Sequence, residues 1–272
     1  MPNEIRFENG ASYERYMGVW SQRIGEQFLN WLAPAAGLRW LDVGCGNGAF
    51  TEMIVQRTTP IAVEAVDPAE AQLVFARARA ATRMATFHTG DAMALPFADA
   101  AFDIAVMPLV IFFVPQPARG VAEMTRVVTA GGIVTAYGWD LHDGGFPYAS
   151  LQDELRQLGI DFPMPPSPEA SRVDVLASLW SDAGLLDIET REITAERTFA
   201  DFDDYWTTIL MGPALGPSLA ALDTAAMTHL ITRMRARLSS DAAGRITCAA
   251  RANAVMGRVR TGDGRRRPGS RQ

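Results

Sequence analysis

The stretch Leu41-Asp42-Val43-Gly44-Cys45-Gly46-Asn47-Gly48 has the residue types and spacing to hold a ligand on its backbone. Glycines at 44, 46 and 48 permit a tight turn and let a ligand approach main chain that a β-carbon would block. The N–H groups that open the following helix have no intrahelical partner and can donate to that ligand. Gly44-x-Gly46-x-x-Ala49 also satisfies the dinucleotide pattern with its permitted alanine, so an oxidoreductase using NAD or FAD is a rival on the turn alone. Asp42 separates the two readings. A carboxylate just before the first glycine would repel a pyrophosphate lying over the turn and would favour a cation. The structural alternative is an aspartate that caps the turn's own N–H groups.

Asp67 ends the run from Ile61, at the distance downstream where an acid accepts hydrogen bonds from ribose hydroxyls, and Pro68 fixes the turn after it. Glu64 is a second acid, but it falls inside the predicted strand. Farther on come Gly90-Asp91-Ala92, Leu95-Pro96-Phe97 and Phe102-Asp103. His142 lies just past the fifth predicted strand, at the substrate end of such a sheet, and is the candidate general base, with Tyr137 and Asp140 behind it. None of the three histidines, His88, His142 and His229, has metal-ligand spacing, so no metal is expected.

The elements that must position these residues follow from the hydrophobic pattern. Residues 1–37 carry Tyr13, Tyr16, Met17, Trp20, Ile24 and Phe28 at helical spacing and read as an N-terminal helical segment. From Arg39 short apolar runs alternate with longer amphipathic ones, as in βαβ units with a mainly parallel sheet. Strands are predicted at 39–44, 61–67, 84–89, 102–108 and 131–138, and helices near 47–58, 69–81 and 116–129. A helix at 147–158, a proline-rich surface loop, a helix at 171–183 and a strand at 185–192 follow. The binding core is thus expected over 38–199, a helical cap over 200–240, the final strand within 241–260 and a disordered tail over 261–272.

Composition narrows the chemistry. At 272 residues and 48% hydrophobic, the chain can bury one core with an elaboration. A net charge of −6 disfavours a nucleic-acid binder. All 25 basic side chains are arginine, which excludes a pyridoxal Schiff base and a Walker-type phosphate loop. Cys45 and Cys248 support neither a disulfide framework nor a zinc site. With no membrane-spanning run and no signal-like start, a cytoplasmic protein is expected.

Taken together, Asp42 to Gly48, Asp67, Gly90-Asp91-Ala92 with Leu95-Pro96-Phe97, and Phe102-Asp103 resemble class I S-adenosylmethionine-dependent methyltransferases. The nearest subgroup is that of the ubiquinone and menaquinone C-methyltransferases and their small-molecule relatives. Glu123-Met124-Thr125-Arg126-Val127-Val128 with Gly131-Gly132 is similar to a segment of that subgroup, with Ala130 where proline is usual. Tyr13-Glu14-Arg15-Tyr16-Met17-Gly18-Val19-Trp20 resembles its N-terminal helix, and the likeness fades after about 145.

The resemblance implies a Rossmann-like α/β fold with a seven-stranded, mostly parallel sheet flanked by helices, and a helical cap before the last strand. It implies that the backbone from Gly44 through Cys45, Gly46 and Asn47 to Gly48 holds the methionine part of S-adenosylmethionine, with Asp42 nearby. The cofactor's ammonium and sulfonium charges suit that acid. Asp67 and Pro68 would meet the ribose, Asp91 and Ala92 the adenine, and Met107 to Leu109 the sulfonium. Tyr16 and Trp20, on one helical face, either close over the cofactor or pack in the core. Many relatives carry small residues and two histidines where this chain has Met107-Pro108-Leu109-Val110-Ile111-Phe112-Phe113. An apolar or aromatic small-molecule acceptor is therefore expected, although Phe112 and Phe113 also suit a helix-to-sheet core. A non-catalytic S-adenosylmethionine-binding module is a further alternative.

Overall fold

Apolar runs bounded by glycine, proline and polar turns form the strands of one central sheet in this computed structural model, which describes residues 14–213 and 215–261. The strands are β1 (Arg39–Val43), β2 (Ala62–Asp67), β3 (Ala85–Thr89), β4 (Phe102–Pro108), β5 (Val128–Trp139), β6 (Leu186–Phe199) and β7 (Ile246–Arg258). Their order is β3-β2-β1-β4-β5-β7-β6. Pairing from β3 through β5 is parallel, and β7 runs antiparallel to both its neighbours. The expected seven-stranded, mostly parallel α/β sheet is what forms.

A π-helical turn (Glu14–Gly18) leads into α1 (Val19–Leu32). Helices α2 (Ala49–Thr58), α3 (Glu70–Ala78) and α4 (Pro117–Val127) link the parallel strands, and α5 (Ala149–Gln157) and α6 (Val173–Asp182) precede β6. Trp40, Leu41 and Val43 on β1 are wholly buried, so the central strand is covered on both faces. The order reverses between β1 and β4, and such switch points open a crevice at the carboxyl ends of the strands. At the opposite end Arg39 grips Asp103, its Nε donating to Oδ2 at 3.0 Å and its Nη2 to Oδ1 at 2.6 Å. The Phe102-Asp103 element of the sequence thus braces β4 against β1, away from the crevice.

One strand departs most from expectation. β6 continues to Phe199, beyond the predicted end at 192, because its charged residues occupy a wet face while Ile193, Ala195 and Phe199 are buried. A half-buried edge strand lacks a continuous apolar run. Between β6 and β7 lie α7 (Phe202–Leu210), α8 (Leu215–Ala220) and α9 (Thr224–Arg237), with Asp201 and Asp223 capping α7 and α9. Their buried residues share one hydrophobic cluster with the sheet. Arg233 and Arg237 of α9 both pair with Glu154 of α5. Tyr13 and the expected disordered tail from 262 onward lie outside the described residues. Among the described residues no helix is long and apolar enough to cross a membrane.

Candidate active site

The turn after β1 is built as its glycines require. Gly44, Gly46 and Gly48 have φ of 76°, 51° and 79°, a region that penalises any β-carbon. Their surroundings differ. A β-carbon at Gly44 would lie 2.6 Å from Val110, and one at Gly48 would lie 2.9 Å from the Ala76 Cβ. One at Gly46 would meet nothing within 4 Å, so this glycine alone of the three faces open space.

The turn is anchored to β2. The N–H groups of Gly44 and Cys45 donate to the Val66 carbonyl at 2.7 and 3.1 Å. Gly46 N–H donates to Asp67 Oδ2 at 2.9 Å, and Ala69 N–H to Oδ1 at 2.8 Å. Each carboxylate oxygen keeps further acceptor capacity. Burial pushes the Asp67 carboxyl above its ordinary pKa, against the two N–H donors.

Asp42 is not where the sequence placed it. It is wholly buried behind the turn, and Thr51 Oγ1 donates to its Oδ2 at 2.6 Å. Its Oδ1 is buried with no partner. Burial, opposed by the Thr51 bond and aided by the nearby Asp67 charge, pushes its pKa up to about 7. Asp42 therefore neither caps the turn nor touches the crevice. It can act there only from behind the wall, as a carboxyl poised near neutrality.

The crevice is a cavity of about 1210 Å³. Of the residues singled out from the sequence, Gly44, Cys45, Gly46, Asn47, Asp67, Pro68, Asp91, Ala92, Leu109 and Tyr137 line it together. Leu109 adopts φ 59°, a strained backbone for a bulky residue, and its N–H donates to the Tyr137 carbonyl at 2.7 Å. Asp91 uses Oδ1 to accept the Met93 N–H at 2.8 Å. The Leu95-Pro96-Phe97 segment beyond it is held from α4. Glu123 Oε2 accepts the Leu95 N–H at 2.8 Å, and Arg126 donates to the carbonyls of Leu95 and Phe97 at 3.1 and 2.8 Å. That is the physical work of the Glu123 to Arg126 motif.

Asp42, Gly48, Met107, Tyr16, Trp20, His142 and Asp140 are absent from the wall. Gly48 packs on Ala76, and Met107 is buried within β4. The Tyr16 ring stacks on Tyr148 at 4.7 Å, and the Tyr148 hydroxyl donates to the Tyr16 carbonyl at 2.7 Å. Trp20 Nε1 donates to the same hydroxyl at 3.4 Å. These aromatics form the core-facing side of the N-terminal helix, so the packing alternative describes them. His142 sits with Nε2 3.2 Å from Glu169, and its backbone N–H donates to Asp140, which pairs with Arg251. Held in this loop, His142 does not line the crevice. Glu64 pairs with His88 at 2.6 Å. Among the described residues no group of three or more His, Cys, Asp or Glu could hold a metal ion.

The wall also has members that motif reading did not find. Glu14, Gly18, Ser21 and Gln22 contribute the small and polar side of the N-terminal helix, whose amphipathic pattern carried the signal. Arg79 arrives from just beyond α3, and Phe113 lines the cavity while Phe112 enters the core. The proline-rich segment, expected as a surface connection, supplies Met164, Pro165 and Pro166. It is tied down by Ser167, whose N–H donates to the Phe112 carbonyl at 3.0 Å and whose Oγ donates to that of Val114 at 2.8 Å. No described residue of α7, α8 or α9 lines this cavity, so these helices do not cover it.

Comparison with known proteins bears on this geometry. Residues 41–136 match the family model described as a methyltransferase domain. The ubiquinone/menaquinone biosynthesis C-methyltransferase UbiE of Roseobacter denitrificans is 40% identical over 111 residues, 39% of this chain and 44% of that one. The chloroplastic 2-methyl-6-phytyl-1,4-hydroquinone methyltransferase 2 of Oryza sativa is 40% identical over 101 residues, 37% of this chain and 29% of that one. The chain thus spans under half the length of these relatives. Among solved structures, phosphoethanolamine N-methyltransferase 2 of Haemonchus contortus, in complex with S-adenosyl-L-methionine, superposes with a TM-score of 0.58 at 18% identity, covering 93% of this chain and 56% of that one. The YcgJ protein of Bacillus subtilis superposes with a TM-score of 0.57 at 17% identity, covering 89% of this chain and all of that one. At such identity the superpositions establish a shared fold.

Proposed function

With residues 41–136 a methyltransferase domain, we propose that this chain transfers a methyl group from S-adenosylmethionine to a small apolar or aromatic molecule. The observation that carries the reading is the placement of Gly46 and Asp67 together on the wall of a large crevice at the switch point of the sheet. A cavity of about 1210 Å³ exceeds the roughly 300–1,000 Å³ of a typical single-ligand pocket. That leaves room for an acceptor beside the cofactor.

The residues present fit the cofactor. Asp67 is oriented by two N–H donors to accept from a ribose, and Asp91 and Ala92 offer a polar edge for adenine. Gly46 leaves open the space a β-carbon would fill. The Asp42 Oδ1 is buried without a partner behind the turn, and a cationic ligand nearby would favour its ionised form. Among the described wall residues, Glu14, Glu52, Asp67 and Asp91 stand against one arginine, Arg79, a balance that suits a cationic ligand and opposes a dinucleotide's diphosphate.

When bound, S-adenosylmethionine supplies a methyl group on positively charged sulfur, which passes to a nucleophilic acceptor atom and leaves S-adenosylhomocysteine. The protein's contribution is to orient the two reactants and exclude water. Leu109, Val110, Phe113, Met164, Pro165 and Pro166 form an apolar side of the cavity, favouring an apolar acceptor. We place the binding core over 38–199 and treat 200–240 as an insertion that braces α5. A cytoplasmic protein acting on small molecules and not on nucleic acid accords with the net charge of −6.

Calorimetry with S-adenosylhomocysteine, followed by transfer of labelled methyl to a panel of phenols and quinols, tests the reading. Binding and transfer are expected. Tight NAD binding without S-adenosylhomocysteine binding would overturn it, and binding without transfer across the panel would favour the non-catalytic module.

A further inference from the structure

A charged cluster on the cavity rim links the N-terminal segment to the glycine turn. Glu14, on the π-helical turn before α1, reaches across to Asn47 and Arg79. Its Oε2 accepts from Asn47 Nδ2 at 3.3 Å and from Arg79 Nη2 at 3.1 Å. Arg79 is otherwise held by the turn and by α2, its Nε donating to the Asn47 carbonyl at 2.7 Å and its Nη1 to Glu52 Oε2 at 2.8 Å. Asn47 is oriented as well, because its Oδ1 accepts the Ala49 N–H at 3.2 Å and so turns Nδ2 toward Glu14. The result is a preformed anion seat, an arginine edge and an amide N–H₂, beside the turn.

We propose that Arg79 and Asn47 form the seat for the carboxylate of the methyl donor's amino-acid part, and that Glu14 fills it until the donor displaces it. The inference rests on the proposed function above. Arg79 is the only cation among the described wall residues, while four carboxylates share that wall. An entering carboxylate therefore has a single favourable partner. Of the two acids on Arg79, Glu52 is the closer and is fixed on α2, whereas Glu14 makes the longer contacts and is half exposed. Exposed pairs of this kind contribute little, so Glu14 is the exchangeable one. Because Gly18, Ser21 and Gln22 follow Glu14 onto the same wall, displacement would also reset the N-terminal edge of the cavity.

The test compares two probes by calorimetry on the full chain. S-adenosylhomocysteine carries the amino-acid carboxylate, and 5′-methylthioadenosine keeps the nucleoside and lacks it. Arg79→Gln should weaken S-adenosylhomocysteine at least tenfold while leaving methylthioadenosine within twofold, which also shows that the variant's turn is folded. Glu14→Gln should tighten S-adenosylhomocysteine several-fold and leave methylthioadenosine unchanged. Equal losses for both probes in Arg79→Gln, or no loss for either, would overturn the seat. Weaker S-adenosylhomocysteine binding in Glu14→Gln would assign Glu14 to the ammonium instead and overturn the competition. If wild-type protein bound methylthioadenosine and S-adenosylhomocysteine equally, the seat would fail while nucleoside binding stood. If it bound neither, the proposed function itself would fail.

Discussion

Replacing Asp42 by asparagine should stabilise the protein by an amount that grows as pH rises from about 4 to about 7 and then holds. Asp42 is wholly buried, one oxygen accepts from Thr51 and the other has no partner. Its pKa stands at about 7 in the fold against an ordinary value of 3.8. Below about pH 4 both folded and unfolded states hold the proton, and the group adds no pH dependence. Between about pH 4 and 7 the unfolded chain releases its proton while the folded state retains it, so stability falls as pH rises. Above about pH 7 both are ionised and the full loss persists. At about 1.36 kcal/mol per unit, the difference amounts to about 4 kcal/mol. The amide of Asp42→Asn escapes this loss, but its N–H₂ inherits the unpartnered position, at a cost of about 1–3 kcal/mol. The variant should therefore gain about 3 kcal/mol relative to wild type between about pH 5 and 8. For a chain of this size that is a relative rise in Tm of roughly 6–12 °C. Urea or thermal unfolding at about pH 5, 6, 7 and 8 reads it directly. A wild-type-to-variant difference that stays constant across this range would refute the buried, neutralised carboxyl on which the reasoning rests.

Asp67→Asn removes the charge and leaves one of the Gly46 and Ala69 N–H groups without its acceptor, so affinity for S-adenosylhomocysteine should fall by about 1–3 kcal/mol, roughly 5- to 150-fold. Unchanged affinity by calorimetry would end its assignment to the ribose. Gly46→Ala places a methyl in open space at φ 51°, so stability should drop by only about 1–2 kcal/mol while cofactor binding drops strongly. Gly44→Ala, which drives a methyl to 2.6 Å from Val110, should lose several degrees more in Tm, and equal melting of the two variants would count against these distinct roles. His142→Ala removes an exposed contact to Glu169 and should leave kcat within about twofold. A tenfold loss of kcat together with a missing limb in the pH profile would restore it as a base.

Much of the site was legible because its chemistry is local. Gly44-Cys45-Gly46, the acid at the end of β2 and Asp91-Ala92 after β3 each sit at a strand end, and parallel strands bring successive strand ends to one edge. The same logic does not extend to His142, which follows β5 but lies off the cavity wall, in a loop that Asp140 ties to itself and to Arg251. Tyr16 and Trp20 share a helical face, as their spacing requires. Nothing in that spacing says whether the face meets the ligand or the core.

The alternation of strands and helices, the positive-φ glycine turn and the acids at the strand ends could all be read from the chain's residues in order, because each is encoded within a few residues of backbone geometry. Folding was needed to seal Asp42 behind the turn. It was needed equally to bring Glu14 and Arg79 together across Asn47, and to set Met164 to Pro166 on the apolar side of the cavity. Those outcomes depend on contacts between segments far apart in the chain, and no local pattern carries them.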